Sequence, residues 1–325
     1  MMRWLVCSAC CLFFSLPAAS QQQDARYWLD RVVTAAHKLN YSGTFVFQSG
    51  ANAETSRITH LVDVGGVLER IEVLDGSPRE VIRSNDEVKC YLPESRTLIV
   101  EKRSQRRSFP ALLPAELGGL SENYVIRKGT LGRVAGHESQ SILLEPKDDL
   151  RYGHQLWADV NTGLLLKAEV MNERNEAVET FTFTQLQIGG PIEREALKSK
   201  FAIQSRDWRV QNIHATVIRG EDAAWQFKVK LPGFSKLAGM KRQEGADIPE
   251  SLHLVFSDGL AAISVFIEPF SSSPQMTDLD KVSVGATSVY HRTVNGHLLV
   301  IMGEVPLTTL KKFGDGIVQK RNHDR

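Results

Sequence analysis

The sequence predicts an α+β protein, a large antiparallel sheet domain with covering helices followed by a smaller α+β domain. Short runs of β-branched and aromatic residues succeed one another with turn signals between them. The gaps are too short for helical crossovers, so neighbouring strands should pair antiparallel and a parallel doubly wound sheet is not expected. A length of 325 residues suits two domains at roughly 150 residues each.

Taken in order, Ala25 to Leu39 carries Trp28, Leu29, Val32, Val33, Ala36 and Leu39 on one helical stripe, with Asn40 as terminator. Strands are expected over Thr44 to Gln48, Ser56 to Val62, Val67 to Leu74, Glu80 to Arg83, Glu87 to Leu92 and Thr97 to Lys102. Gly50 to Asn52, Gly65-Gly66, Asp75-Gly76, Asn85-Asp86 and Pro93-Glu94 supply the turns. From Arg103 to Gly129 the pattern lapses into a loop with short helices, then resumes with Ser139 to Leu144, His154 to Val160, Leu164 to Val170 and Val178 to Ile188. Residues 204–221 read as a linker. Beyond it come Trp225 to Val229, Leu252 to Phe256, Ala262 to Glu268, Ser288 to Val294 and Leu298 to Gly303. Asn295-Gly296 is a strong hairpin signal, and a last helix follows Pro306 with Leu307, Leu310, Phe313 and Ile317 on one side.

The N-terminus reads as an address. Arg3 precedes an apolar run, Trp4 to Leu16, that is too short to span a bilayer, and Ala18-Ala19-Ser20 follows it. A secretory signal peptide over residues 1–20, cut near Ser20, implies an exported protein. Three of the four Cys (Cys7, Cys10, Cys11) lie within that peptide, leaving Cys90 in an alternating segment as a buried, inert thiol. The expected division is then 21–203 for the large domain, 204–221 for the linker and 222–325 for the small domain.

Composition excludes several classes. Lys+Arg number 39 against 38 Asp+Glu, so there is no general attraction to nucleic acid. Asp159-Val160-Asn161-Thr162-Gly163 resembles the start of a calcium loop, but Val170 stands where a bidentate Glu is needed, and a hairpin turn is the better reading. No phosphate-cradling glycine motif, nucleophile elbow or paired-His metal motif occurs, so neither enzyme activity, nor a metal, nor a cofactor is expected. Two features remain. Phe45, Phe47, Ile58, Leu61, Val81, Ile82 and Tyr91 form an ordinary core or, if the sheet is curved and only partly covered, line an apolar cavity for an acyl chain. Lys102, Arg103, Arg106 and Arg107 make a solvated loop or a local anion patch.

Tyr41-Ser42-Gly43-Thr44-Phe45, the segment Leu74 to Arg83, Leu231-Pro232-Gly233-Phe234, Phe256 to Leu260 and Ser264-Val265-Phe266 resemble, in type and order, the MucB/RseB family of periplasmic negative regulators of envelope-stress sigma factors. The resemblance spans nearly the whole mature chain. It implies a LolA/LolB-like half-open barrel as the first domain. It also implies binding to the periplasmic part of a single-span anti-sigma factor of the RseA or MucA type, which is thereby shielded from its first protease. Lipid or lipopolysaccharide entering the barrel would release that partner, and the second domain would supply much of the contact. On this basis Leu231, Gly233, Phe234, Ser257, Asp258 and Phe266 are the partner candidates, with Gly233 and Gly259 serving turns. A periplasmic lipid or lipoprotein carrier without such a partner is the rival reading, and a homo-oligomer is left open.

Overall fold

The computed structural model describes residues 18–102, 109, 111–114, 117–213, 216–217, 224–242, 251–270 and 283–320. Arg103, Arg106 and Arg107 lie outside these residues, as does most of the segment expected to be a signal peptide; Lys102 enters only as the end of a strand.

Helix α1 (Ala18–Lys38) is followed by β1 (Tyr41–Ser49), β2 (Asn52–Asp63), β3 (Gly66–Val73), β4 (Glu80–Ser84), β5 (Glu87–Leu92) and β6 (Thr97–Lys102). A short helix α2 (Leu120–Asn123) leads into β7 (Tyr124–Val134), β8 (His137–Pro146), β9 (Gly153–Asp159), β10 (Leu165–Met171), β11 (Ala177–Ile188) and β12 (Arg209–Ile213). The remainder is β13 (Thr216–Val217), β14 (Trp225–Phe227), β15 (Ser235–Arg242), β16 (Ser251–Ser257), β17 (Ala262–Pro269), β18 (Ser283–Val284), β19 (Thr287–Val294), β20 (His297–Gly303), α3 (Leu307–Asp315) and β21 (Ile317–Gln319).

The first domain is a 12-stranded sheet in the order β12-β6-β5-β4-β3-β2-β1-β11-β10-β9-β8-β7. Its outermost strands, β12 and β7, do not pair with each other, so the sheet curls without closing into a barrel. The second domain is a seven-stranded sheet, β13-β15-β16-β17-β20-β19-β18, with β14 and β21 paired beside it.

Side chains alternate across a strand, and the register sorts them into two faces. On the concave face α1 lays down Ala25, Trp28, Leu29, Val32 and Ala35, which pack with Phe45, Ile58, Ile142, Leu156 and Phe183 in one core. Arg31 fastens the helix, donating to the carbonyls of Val160 (3.1 Å) and Asn161 (2.6 Å) in the β9–β10 turn. That turn is the hairpin expected of Asp159: its carboxylate accepts from the Asn161 and Thr162 amides and the Thr162 hydroxyl, and Gly163 has φ +82°.

Three expectations are corrected. The lapse after Arg103 ends at Tyr124, where β7 begins; this edge strand carries a bulge between Lys128 and Leu131, and Gly129 and Gly132 break its alternation. Residues Arg209–Ile213, read as linker, run parallel to β6, the one parallel pairing among the described strands. Parallel neighbours need a long connection, and here the whole of residues 103–208 supplies it. Ile317 lies beyond α3, in β21, because the helix ends at Gly316. It is nonetheless buried with Leu310 and Phe313.

Candidate functional site

The seven residues nominated for an acyl-chain cavity do not share a face. Gly43, Ile58, Ile71, Val81, Cys90 and Ile99 lie side by side across β1 to β6, and Phe45 and Phe47 share their parity on β1. Phe45, Phe47, Ile58 and Val81 are therefore concave. Leu61, Ile82 and Tyr91 have the opposite parity and face the other side. There the segment 194–208 covers the sheet: Arg70 reaches the Ala196 carbonyl (3.2 Å) and Glu80 (2.8 Å), the Lys200 amide also donates to Glu80, and Tyr91 meets Trp208 edge-on.

The concave face changes character along the sheet. Near β1 and β11, Phe45, Phe47, Phe181 and Phe183 gather around Phe109, which stacks on Phe181 at 5.3 Å; Leu113 and Leu117 join the same core. Phe109 thus acts as a plug supplied by the segment after β6. Further out, Val81, Cys90 and Ile99 are only half-buried, and burial raises the Cys90 thiol. Beside that apolar row runs a polar one: Tyr41, His60, Glu69 and Arg83 are neighbours in register. The Tyr41 and His60 rings stack at 4.6 Å, and Glu69, raised by burial, sits 3.4 Å from Arg83.

The partner candidates divide as well. Leu231, Gly233, Phe234, Ser257 and Asp258 collect where the two domains meet. Arg151, in the β8–β9 loop, has no exposed side-chain surface and pairs with Asp258 at 2.5 Å. Its Nε and Nη2 groups donate to both Asp148 oxygens (2.9 Å each) and to the Pro232 carbonyl (2.6 Å). Asp258 also accepts from the Tyr124 hydroxyl (3.0 Å) and the Leu260 and Ala261 amides. Desolvation and the Asp258 charge hold the Tyr124 hydroxyl protonated. The Phe234 ring lies 5.0 Å from the Arg151 guanidinium, Leu231 is buried in the second core beside Leu150, and the Ser257 hydroxyl closes its own turn. Gly233 has φ +78°, and a Cβ there would stand 2.2 Å from Asn123 Oδ1, so both conformation and space call for glycine. These side chains face inward, into the joint.

Phe266 is elsewhere. Ile263, Val265 and Ile267 of β17 face α3 and the second core, so Phe266 faces away. It stacks on His253 at 4.2 Å and lies in the cross-strand row Met240, His253, Phe266, Val300, His291. Val255, Ser264, Met302 and Val289 form a second, half-buried row beside it. His253 itself is buried and the rest of this face half-buried; polarisable, adaptable side chains there suit a protein contact more than a catalytic role. Among the described residues no group of His, Cys, Asp and Glu is arranged to hold a metal ion.

Comparison with known proteins agrees with this architecture. Residues 24–201 match the MucB/RseB N-terminal domain and residues 219–318 the MucB/RseB C-terminal domain. The chain belongs to the MucB/RseB family. It is 29% identical over 299 residues to the sigma factor AlgU regulatory protein MucB of Pseudomonas aeruginosa, covering 90% of each chain. It is 24% identical over 303 residues to the sigma-E factor regulatory protein RseB of Haemophilus influenzae, covering 93% of each. A crystal structure of MucB in complex with MucA(peri) superposes with a TM-score of 0.70 at 27% identity, over 92% of this chain and 100% of that one. The family segments recognised in the sequence, Leu231 to Phe234 and Ser257 to Leu260, are the ones that build the joint in this MucB/RseB chain. Arg151 and Tyr124, their counterparts across the joint, carry no local motif and escaped sequence reasoning.

Proposed function

We propose that this protein is a non-enzymatic, periplasmic negative regulator of an envelope-stress sigma factor. It binds the periplasmic segment of a single-span anti-sigma factor of the RseA or MucA type and protects it from site-1 proteolysis. The observation that carries the reading is the match, along nearly the full chain, to a MucB solved with the periplasmic part of MucA. Export follows from the N-terminal apolar run and small-residue cleavage site before Gln21.

The contact is assigned to the half-buried face around Phe266, on the side of the second sheet away from its core. That face offers aromatic, aliphatic and methionine side chains with no described helix over it, the composition of an interface centre. The lipid-responsive surface is assigned to the half-buried concave row Ile71, Val81, Cys90 and Ile99, next to the Phe109 plug. Release is assigned to lipid on the concave face and partner on the second sheet favouring different geometries of the joint between them. Affinity for lipid and affinity for partner then oppose each other reciprocally. A carrier without a partner would need the same concave face but gives no role to the second sheet.

The test is a protease-protection assay. The mature chain should slow cleavage of the anti-sigma periplasmic segment by the site-1 protease, and lipopolysaccharide should restore cleavage. Unchanged cleavage at saturating protein would overturn the reading.

A further inference from the structure

We propose that Glu179 makes the joint between the two domains proton-sensitive, closed in acid and loosened as the pH rises past neutrality. The inference stands on the joint itself and does not depend on the identity of any partner.

Glu179 lies on β11 in a concave row with Ser49, Val170 and His154, and only 8% of its surface is exposed. The β18–β19 turn of the second domain closes over this row. Gly285 packs so tightly against Ser49 that an added Cβ would overlap its hydroxyl, and the next residue, Ala286, is fully buried, its backbone partly offsetting the rise of the Glu179 carboxyl. A second carboxylate, Glu304, comes from the turn between β20 and α3 and acts on Glu179 across the joint. The surrounding groups do not offset this repulsion. Ser49 and Val170, on the flanking strands, are uncharged, and His154 in the same row is held neutral by burial. Tyr152, in the loop before β9, is kept protonated by desolvation and interacts with Ser288 and Glu173. Arg151, the nearby cation of that loop, is committed to Asp148 and Asp258.

Burial first, and then the Glu304 charge, push Glu179 up to about 7. Glu304 is raised as well by desolvation, but its side chain is exposed, so water screens its charge and burial of Glu179 is the dominant cause. Separating the domains would hydrate Glu179 and return it to the ordinary carboxylate range, so the closed joint binds the extra proton. Closure is therefore favoured as pH falls through 7 and loses that advantage above it.

Amide exchange in the full mature chain tests this. After correction for intrinsic rates, protection over residues 283–290 should rise roughly ten- to thirtyfold between pH 8 and pH 5.5. In Glu179→Gln, which keeps shape and removes charge, protection should be high at both pH values. Glu304→Gln should keep the dependence but move its midpoint lower. Equal protection at both pH values in the wild type, or a Glu179→Gln variant that still follows pH as the wild type does, would overturn the proposal.

Discussion

Arg151 and Asp258, one from each domain, pair at 2.5 Å with neither side chain exposed to solvent. Burying two charges costs several kcal/mol each unless the remaining donors and acceptors are filled, and here Asp148, Pro232, Tyr124 and two turn amides fill them. Removing one partner strands the other. Arg151→Ala and Asp258→Ala should each lower the unfolding free energy by about 3–5 kcal/mol, and the double variant should lose less than the sum. Denaturant titration of the four proteins measures the coupling; strictly additive losses would contradict the lock.

Phe109 is fully enclosed by Phe45, Phe181 and Phe183 although it belongs to an irregular segment. Phe109→Ala should cost about 3 kcal/mol and expose the aromatic wall of the concave face. Chemical denaturation checks the first effect, and increased binding of an environment-sensitive apolar dye checks the second.

His154 and Glu179 share the row under the second domain but titrate in opposite senses. Burial pushes His154 down to about 4, so between an unfolded value of about 6.5 and 4 the unfolded chain binds more protons, and folding weakens as pH falls. Glu179, raised to about 7, works the other way between 7 and the unfolded value. The two contributions, each of the order of 2–3 kcal/mol, oppose each other in the wild type. His154→Gln should therefore gain stability as pH drops from 7 to 5, and Glu179→Gln should lose it. Unfolding midpoints over that pH series decide the matter, and parallel profiles for the two variants would refute the assignment.

The strand alternation of β1 to β6 and β8 to β11 was legible because each strand buries one face and turn residues punctuate it. The open sheet followed from the family resemblance, and its two unpaired edges bear that out. Strand β7 was not legible, since its bulge and the glycines at 129 and 132 break the period, and as an edge it needs no apolar outer face. Strand β12 was hidden because parallel pairing to β6 depends on residues more than a hundred positions away. The same limit applies to the joint. The motif residues Asp258 and Gly233 stood out, but what they touch, Arg151 and Asn123, is fixed only by tertiary packing.

Phe266 separates contact from folding. Lying half-buried on the side of its sheet away from the core, it should tolerate Phe266→Ser with a loss of about 1 kcal/mol or less in stability. As the centre of the proposed contact it should lose at least 2 kcal/mol of partner affinity, about thirtyfold. Thermal unfolding and calorimetric titration with the anti-sigma segment give the two numbers. Intact affinity in this variant would move the contact to another surface.

A chain that holds an anti-sigma factor and lets it go when lipid fills the concave face must show both events in binding. The most direct test is the affinity of the mature protein for the purified periplasmic segment of the anti-sigma factor, titrated with and without lipopolysaccharide. Binding should be saturable and weaken at least tenfold when lipopolysaccharide is present. No binding in either condition would contradict the regulatory function, and binding of equal strength in both would contradict the release mechanism.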